Sequence, residues 1–185
     1  MKQVVTKLGL ALAVFATTTI STAESYAEIP KYKDVENMLN SELRCLAENV
    51  YHESRSESIT GQVAVAYVTL NRVFADNFPD DICGVVKQGP VKQSWKQNGK
   101  FYPIRYRCQF SWWCDGKSDK IYDSPAWDLA IRVSWHVVNE YLSNRTYDPS
   151  HGATFYHADY VEPSWSKKFY QTTKIGKHIF YREKH

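Results

Sequence analysis

Residues 50–55, VYHESR, close the first predicted helix of this 185-residue chain and decide how its fold and its chemistry are interpreted. Before them, leucine and valine recur at steps of four, three and four, namely at Leu39, Leu43, Leu46 and Val50. This is the spacing of one face of an α-helix, and it predicts a first helix from about Val35 to Arg55. The next step of three reaches Glu53, so a carboxylate occupies a position where the pattern requires an apolar residue.

Glu53 is a candidate general acid because of its place on this helix. A carboxyl group on the buried face, at the C-terminal end, loses water and meets the negative end of the helix dipole, and both effects raise its pKa. A raised pKa is what a proton donor at neutral pH needs. The alternative is a structural glutamate that pairs with Arg44, Arg55 or Arg72.

The adjacent His52 and Glu53 look like the start of a zinc motif, but the motif is incomplete. H-E-x-x-H places a second histidine four residues after the first, and this chain has Ser56 there. The other histidines are scattered along the chain, so we expect no metal site. A papain-like nucleophile requires a free cysteine, and an even set of four cysteines in an exported chain argues against one. The sequence also has neither a G-x-S-x-G serine motif nor a glycine-rich phosphate loop.

A second carboxylate near Glu53 would permit hydrolysis by the usual pair of acids. Glu57 lies four residues later and could share the same helix face, where it would raise the pKa of Glu53 or pair with Arg55. Asp115 and Asp159 are further candidates, without a positional argument behind them.

The N-terminus has the anatomy of a secretory signal peptide. Lys2 and Lys7 precede an apolar run over residues 8–20, and small residues follow, so cleavage is expected after Ala23 or Ala27. The run is shorter than the ~20 residues needed to span a bilayer. We therefore expect no transmembrane segment and a secreted or periplasmic protein of the cell envelope.

About 160 residues remain after cleavage, enough for one domain with a hydrophobic core and too few for two. Residues 28–42 are expected to be a lead-in with the start of the first helix, and residues 43–185 the domain that carries Glu53, as a monomer. Removal of residues 1–23 takes away two lysines and no acids, so the net charge falls from +3 to +1. This near balance favours no nucleic-acid partner.

Four cysteines in an exported chain predict two disulfides. Three connectivities are possible. Cys108 and Cys114 flank only five residues, so a tight loop can join them, which leaves Cys45 with Cys83. Zinc is the competing interpretation, but no C-x-x-C pair is present.

Two longer helices and a short one are predicted after the first. A strongly apolar second helix extends from about Thr60 to Ala75, and a short helix lies within residues 77–89. Ser124, as N-cap before Pro125, begins a third helix that ends near Asn144. Its apolar stripe is Trp127, Ile131, Trp135, Val138 and Leu142.

The C-terminal third reads as strands. ATFYHA is one strand, and KKFYQTTKI and HIFYRE are a hairpin pair around Gly176-Lys177. Residues 91–106, before the third helix, are expected to be a polar loop that contains aromatic residues. Helices first and strands last predict an α+β domain.

Aromatic residues make up 15% of the chain, and many fall outside predicted helices. Flat apolar rings with polar edges suit the faces of sugars, although most aromatic residues in any domain belong to its core. We expect three or four of the following to line a cleft: Trp95, Phe101, Tyr102, Phe110, Trp112, Trp113, Tyr156, Tyr160 and Trp165.

Five blocks of sequence, in this order, match the pattern of a known family: CLAENVYHESRSESITGQVAVAYVTLNRV, ICGVVKQ, CQFSWWCDG, HGATFYHADYVEPSW and IGKHIFY. They resemble the SleB-like cell-wall hydrolases, which include spore-cortex-lytic enzymes. The likeness extends from about Leu43 to Tyr181. It implies a lysozyme-like α+β fold, related to resuscitation-promoting-factor and lytic transglycosylase domains, and cleavage of peptidoglycan between N-acetylmuramic acid and N-acetylglucosamine.

The resemblance also implies roles for particular residues. The family's helix-end acid falls on Glu53 and its second acid on Glu57, with Glu-Ser-Arg-Ser-Glu where many relatives have Glu-Ala-Arg-Gly-Glu. The family's groove wall falls on two segments, whose residues here are Gln109, Phe110, Ser111, Tyr156 and His157. Residues 89–106 have no clear counterpart, and we expect them to be a lid or a specificity loop.

The implied mechanism is that of a lytic transglycosylase. Protonated Glu53 gives its proton to the glycosidic oxygen and then, as a carboxylate, removes one from the muramic C6 hydroxyl, which closes on C1. One glutamate performs both steps, and no cofactor is required. The alternatives are hydrolysis by water, a zinc-dependent amidase or peptide-cutting hydrolase, and an inactive wall-binding module.

Overall fold

The computed structural model describes residues 41–145 and 147–184. Its regular elements are, in chain order, α1 (Ser41–Ser54), α2 (Ile59–Val73), α3 (Ile82–Val86), β1 (Val91–Gln93), β2 (Phe101–Pro103), α4 (Ser124–Leu142), β3 (Phe155–Ala158), β4 (Tyr170–Ile175) and β5 (His178–Arg182). Among the described residues, three of the four α-helices precede β1 and the three-stranded sheet comes last, which confirms the predicted α+β order. The predicted leader, and the predicted start of the first helix, lie outside the described residues. In the described part, no helix is long and apolar enough to cross a membrane.

Serine side chains satisfy backbone groups at the end of α1 and at the start of α2. The Ser54 hydroxyl donates to the Val50 carbonyl at 2.8 Å in the last turn of α1. Ser58 is the N-cap of α2, and its hydroxyl accepts from the Gly61 amide at 3.2 Å. The helix break between them fixes the direction in which Glu53 leaves α1.

Helix α2 occupies the centre of the domain, as its apolar sequence predicts. One side packs with α1 and α4 through Ala66, Tyr67 and Leu70. The opposite side packs against the sheet, where Val65 and Val68 meet Ala153 and Phe180. Both valines are fully buried, and each such side chain stabilises the fold by about 1.5–3 kcal/mol relative to an exposed one.

Helix α4 begins one residue earlier than predicted. Asp123, not Ser124, is the N-cap, and its carboxylate accepts from the Ala126 amide at 3.0 Å. Ser124 is therefore the first helical residue and Pro125 the second. An aspartate caps a helix as well as a serine does, so the local sequence offered two candidates.

The predicted apolar stripe of α4 is wrong in two places. Trp135 and Leu142 are exposed. The buried face is instead made mainly of small and branched residues, namely Ala130, Ile131, Val133, Ser134 and Val137. Small side chains let α4 approach α1 and α2 closely, and the bulky residues then remain on the outside.

The main sheet is antiparallel, with strand order β3-β5-β4. β4 and β5 form the predicted hairpin around Gly176 and Lys177, and β3 pairs with the far side of β5. In this register Tyr156 lies opposite Phe180. The sheet therefore brings β3 beside α2, within reach of the end of α1.

Residues 91–106 are not the irregular loop that the sequence predicted. β1 and β2 pair antiparallel, with Lys92 opposite Tyr102 and Gln93 opposite Phe101. The strands have only three residues each and both faces are largely exposed. A strand without a buried face has no apolar alternation, which is why the pattern did not reveal it.

Both predicted disulfides are present. Cys45–Cys83 joins α1 to α3, and Cys108–Cys114 closes the loop that follows β2. Val85, Val86, Phe110 and Trp112 pack around Cys45. The first bridge thus holds α3 and this loop against the helix that carries Glu53.

Candidate active site

A cleft of about 630 Å³ lies beside the end of α1. Its walls come from α1, the loop closed by the second disulfide, the segment that precedes α4, and β3. Six of the residues predicted for the site line it: Glu53, Gln109, Phe110, Ser111, Tyr156 and His157. Four of the nine candidate aromatic residues do so as well, namely Phe110, Trp112, Tyr156 and Tyr160.

The Glu53 carboxyl group is the centre of the site. The Tyr156 hydroxyl donates to Glu53 Oε2 at 2.9 Å. Burial raises the pKa of Glu53, while the hydrogen bond from Tyr156 and the positive charge of Arg72 oppose that rise. The carboxyl group therefore favours its protonated form more than an ordinary glutamate does. The Tyr156 hydrogen bond and the Arg72 charge nevertheless stabilise its ionised form.

Tyr156 acts as a hydrogen-bond donor. Its hydroxyl is deeply buried beside Glu53, and burial, followed by the charge of Glu53, raises the pKa of Tyr156 well above its usual value. The hydroxyl consequently keeps its proton at neutral pH. Tyr156 lies on β3, and its partner Glu53 is 103 residues earlier in the chain.

Arg72 is a buried cation beneath the cleft. Its Nε donates to the Thr154 carbonyl at 2.6 Å, and its guanidinium lies over the rings of Phe78, Phe110 and Phe155. Burial lowers the pKa of Arg72 to about 10, so the side chain remains charged at neutral pH. The sequence had offered Arg72 only as a possible structural partner of Glu53. The sequence signal that could have indicated a site role for Arg72 is its charge, which lies near the end of the strongly apolar helix α2.

His52 also belongs to the cleft wall, although the sequence indicated for it only an incomplete zinc motif. Its ring stacks on Trp112 with centroids 4.4 Å apart. Trp112 is itself anchored because its Nε1 donates to Asn49 Oδ1 at 2.9 Å, and Asn49 Nδ2 donates to Thr69 Oγ1 at 3.1 Å. Burial lowers the pKa of His52, and the nearby Asp119 charge opposes that change.

Two aspartates of the segment that precedes α4 also line the cleft. Asp119 was not a predicted site residue, and burial raises the pKa of its carboxyl group. Asp115, a candidate without a positional argument, also lines the cleft, and its carboxylate accepts from the Lys117 amide at 2.7 Å. Asp159, the other candidate named with Asp115, lies outside the cleft lining, and its carboxylate pairs with the Lys174 ammonium at 2.9 Å.

Glu57 does not share a face with Glu53. Helix α1 ends at Ser54, so the four-residue spacing no longer places the two side chains together. Glu57 Oε2 instead accepts from the Lys177 amide at 3.1 Å, and a Cβ on Gly176 would collide with the same carboxylate. Glu57 thus closes the β4–β5 turn, and it is absent from the cleft lining.

His157 borders the cleft, but both of its ring nitrogens are already engaged. Nδ1 makes a hydrogen bond with the Ala158 carbonyl at 2.9 Å and Nε2 one with the Tyr181 hydroxyl at 3.0 Å. The ring also stacks on Tyr181. These contacts place His157 in the support of β3. Among residues 41–145 and 147–184, no three histidine, cysteine, aspartate or glutamate side chains are grouped so that they could hold a metal ion.

Residues 56–181 match the family model for cell wall hydrolases, a range that begins three residues after Glu53. The chain is 34% identical over 142 residues to the spore cortex-lytic enzyme of Halalkalibacterium halodurans, and 32% identical over 142 residues to that of Bacillus subtilis. Each alignment covers 76% of this chain but 34% and 37% of the respective relatives. The chain therefore matches little more than a third of their length.

Two solved structures share the fold. The catalytic domain of the Bacillus cereus SleB protein is 27% identical, with a TM-score of 0.50 over 76% of this chain and 89% of that chain. The catalytic domain of the germination-specific lytic transglycosylase SleB from Bacillus anthracis is 28% identical, with a TM-score of 0.54 over 79% of this chain and 98% of that chain. The predicted lysozyme-like α+β class is confirmed.

Proposed function

This chain belongs to the cell wall hydrolase family, and from that membership we propose that it cleaves the glycan strand of peptidoglycan between N-acetylmuramic acid and N-acetylglucosamine. We propose further that it acts as a lytic transglycosylase in which Glu53 is first the acid and then the base. The similar Bacillus anthracis domain is described as a lytic transglycosylase, which supports this choice.

The observation that carries the proposal is the environment of Glu53. The carboxyl group lines a cleft of about 630 Å³, and burial raises its pKa. In the first step the protonated carboxyl group donates to the glycosidic oxygen, and the bond from that oxygen to the muramic C1 breaks. A group that is protonated near neutral pH is suited to this step.

The second step uses the carboxylate left by the first. It accepts the proton of the muramic C6 hydroxyl, whose oxygen bonds to C1 and closes the 1,6-anhydro ring. Glu53 thereby regains its proton and no water is consumed. The Tyr156 hydrogen bond and the Arg72 charge, which stabilise the ionised carboxylate, hold it during the interval between the two steps.

Two side-chain atoms in the cleft region are suited to hold the sugars. His52 Nε2 and Arg72 Nη1 are buried and have no hydrogen-bond partner among the described residues. Both side chains line the cleft, so a small shift of either would let its unpaired atom bind an oxygen of a substrate hydroxyl or N-acetyl group. Trp112, held by Asn49, offers an apolar surface beside them.

Hydrolysis by water is the second candidate, because Asp119 and Asp115 line the same cleft. Inverting glycosidases pair the acid with a second carboxylate that activates a water molecule. The products distinguish the two reactions. A transglycosylase leaves 1,6-anhydromuramic ends, and a hydrolase leaves reducing ends.

The decisive experiment compares the wild type with Glu53→Gln on purified sacculi, with released muropeptides identified by mass spectrometry. Glutamine keeps the size of the side chain and can still accept from Tyr156, so the fold should persist while turnover falls at least about 100-fold. Glu162→Gln is the matched control, because Glu162 is exposed and outside the cleft lining. It should retain wild-type turnover.

Three outcomes would contradict the proposal. Full activity in Glu53→Gln would remove Glu53 from the reaction. Loss of activity on addition of a chelator would favour the zinc-dependent amidase or peptide-cutting alternative. Binding of sacculi by the wild type without release of any muropeptide would identify an inactive wall-binding module.

A further inference from the structure

The β1–β2 hairpin carries a concentrated positive charge. We call residues 90–107 the basic hairpin, because they contain five basic residues and no acidic one: Lys92, Lys96, Lys100, Arg105 and Arg107. The whole chain has a net charge of +3, so the remainder carries −2. The basic hairpin is therefore the positive feature of an otherwise mildly acidic chain.

Large apolar side chains are exposed on the same hairpin. Trp95 is 89% exposed, Phe101 61% and Tyr102 46%. A two-stranded hairpin gains little stability by itself, and exposed aromatic residues add none in water. Such residues grouped on a projecting element indicate a surface that binds another molecule.

The hairpin is ordered by its own hydrogen bonds. The Ser94 amide donates to the Lys100 carbonyl at 2.7 Å, and the Ser94 hydroxyl accepts from the amides of Lys96 and Gln97. The Tyr102 hydroxyl donates to Gln97 Oε1 at 3.2 Å. The aromatic and basic side chains are thus presented on a defined backbone and lose less entropy on binding than they would on a loose loop.

Cations and rings are adjacent on this surface. The Lys96 ammonium lies 4.9 Å from the Trp95 ring centroid. Lys92 is the cross-strand partner of Tyr102, so these two side chains project from the same face of the ribbon. The combination suits a polymer that has flat apolar faces and negative charges at short intervals.

The base of the hairpin is joined to the wall of the cleft. The Gln109 amide donates to the Gln88 carbonyl at 2.9 Å, and the Tyr106 amide donates to the Cys114 carbonyl at 3.0 Å. Arg105 Nε donates to the carbonyl of Asp115, itself a cleft residue, at 2.7 Å. The hairpin is therefore attached to the cleft wall, where a polymer bound in the cleft can contact both.

We propose that the basic hairpin is a second binding site for peptidoglycan, and that it recognises strands that still carry their stem peptides. This proposal rests on the proposed function, which supplies the polymer. The rings of Trp95, Phe101 and Tyr102 contact sugar faces, and the lysines pair with the carboxylates of the peptides. The enzyme then prefers peptide-bearing strands to peptide-stripped ones.

The test measures binding in the Glu53→Gln background, so that no cleavage occurs during the assay. Two hairpin variants are compared, the triple change Lys92→Gln, Lys96→Gln, Lys100→Gln and the single change Trp95→Ala. Co-sedimentation is measured with peptide-bearing sacculi and with peptide-stripped glycan strands. All the altered residues are exposed, so the fold should not change measurably.

The triple variant should bind peptide-bearing sacculi about tenfold more weakly, and this loss should shrink at high salt, since exposed ion pairs are screened. Its binding to stripped strands should change little. Trp95→Ala should weaken binding to both materials by roughly three- to tenfold, because ring contacts with sugars do not depend on the peptides.

The chain offers matched controls. Changing Lys167, Lys168 and Lys184 to glutamine removes the same charge from exposed positions outside the hairpin, and Trp135→Ala removes an exposed tryptophan from α4. Both controls should bind as the parent does. If they weaken binding equally, net charge or general stickiness explains the result and the proposal fails.

Two further outcomes would overturn the proposal. Equal binding of the triple variant and the parent to peptide-bearing sacculi would remove the lysines from recognition. Tighter hairpin-dependent binding to vesicles containing anionic lipid, or to duplex DNA, than to sacculi would assign the surface to another partner. Failure of the proposed function is seen separately, as retained cleavage by Glu53→Gln with an intact hairpin.

Discussion

Tyr156→Phe tests the environment of Glu53 most directly. The change removes only the hydroxyl that donates to Glu53 Oε2 at 2.9 Å. The ring should keep its place, because it packs against His178 and Phe180 with centroids 5.0 and 5.7 Å away. Any effect on the carboxyl group can therefore be attributed to the lost hydrogen bond.

The stability lost in Tyr156→Phe depends on whether Glu53, which accepts the hydrogen bond, is ionised or protonated. A hydrogen bond to a charged group contributes about 1.5–3 kcal/mol, and one between neutral groups about 1 kcal/mol. The variant therefore loses more when Glu53 is ionised than when it is protonated. The pKa of Glu53, already raised by burial, should rise further because the hydroxyl that opposed the rise is gone.

The sign of the pH dependence follows from proton binding. A glutamate whose pKa is raised on folding binds more protons in the native than in the unfolded state, so stability falls as the pH rises from the unfolded pKa to the folded one. In Tyr156→Phe this fall should be larger. The loss relative to wild type should be about 1 kcal/mol at acidic pH and grow towards about 1.5–3 kcal/mol at pH values where wild-type Glu53 is ionised.

Two measurements check this expectation. Urea unfolding at a series of pH values gives the difference in the free energy of unfolding. The pH profile of turnover on sacculi gives the alkaline limb, which should move to higher pH in the variant because the acid stays protonated longer. In a Glu53→Gln background, Tyr156→Phe should cost the same at every pH. A loss of constant size in the wild-type background, or an alkaline limb that moves to lower pH, would refute this account of the site.

The remaining predictions concern stability. Gly176→Ala should destabilise the fold by more than the ~1–2 kcal/mol of a left-handed backbone, because its Cβ also displaces the Glu57 carboxylate from the Lys177 amide. Gly99→Ala, with positive φ but open space, should lose only the backbone part, and equal losses in urea unfolding would contradict this. Replacing Cys45 and Cys83 together by alanine should lower the free energy of unfolding by about 4 kcal/mol in the chain-entropy model. A comparison of melting temperatures checks this, and an unchanged melting temperature would contradict it.

Local patterns were sufficient for much of the helical framework. The steps of three and four that lead through Leu46 and Val50 placed α1 and its end at Ser54 to within one residue. They also singled out Glu53, because a carboxylate on an apolar stripe is visible without a structure. The two disulfides were accessible for a similar reason, since five residues between Cys108 and Cys114 allow a short bridge.

Patterns failed where a distant part of the chain or competing local chemistry decided the outcome. Glu57 seemed to accompany Glu53 on one face, but the helix ends between them and Glu57 turns to the β4–β5 hairpin. The burial of Trp135 in α4 was predicted from periodicity, whereas packing with α1 and α2 selects the face of small residues. The sequence pattern did not predict the strand pair of the basic hairpin, because neither face of that pair is buried.

The sequence by itself determined the family, the α+β class and the one carboxylate on which the chemistry is proposed to depend, because helix period and motif are properties of neighbouring residues. Only the tertiary structure decided what surrounds that carboxylate. The Tyr156 hydroxyl on β3 donates a hydrogen bond to Glu53, and the charge of Arg72 on α2 acts on its carboxyl group. His52 and Trp112 stack in the wall of the same cleft. The pKa of a carboxyl group depends on burial and on nearby charges, and residues of other helices and strands supply both only after the chain has folded.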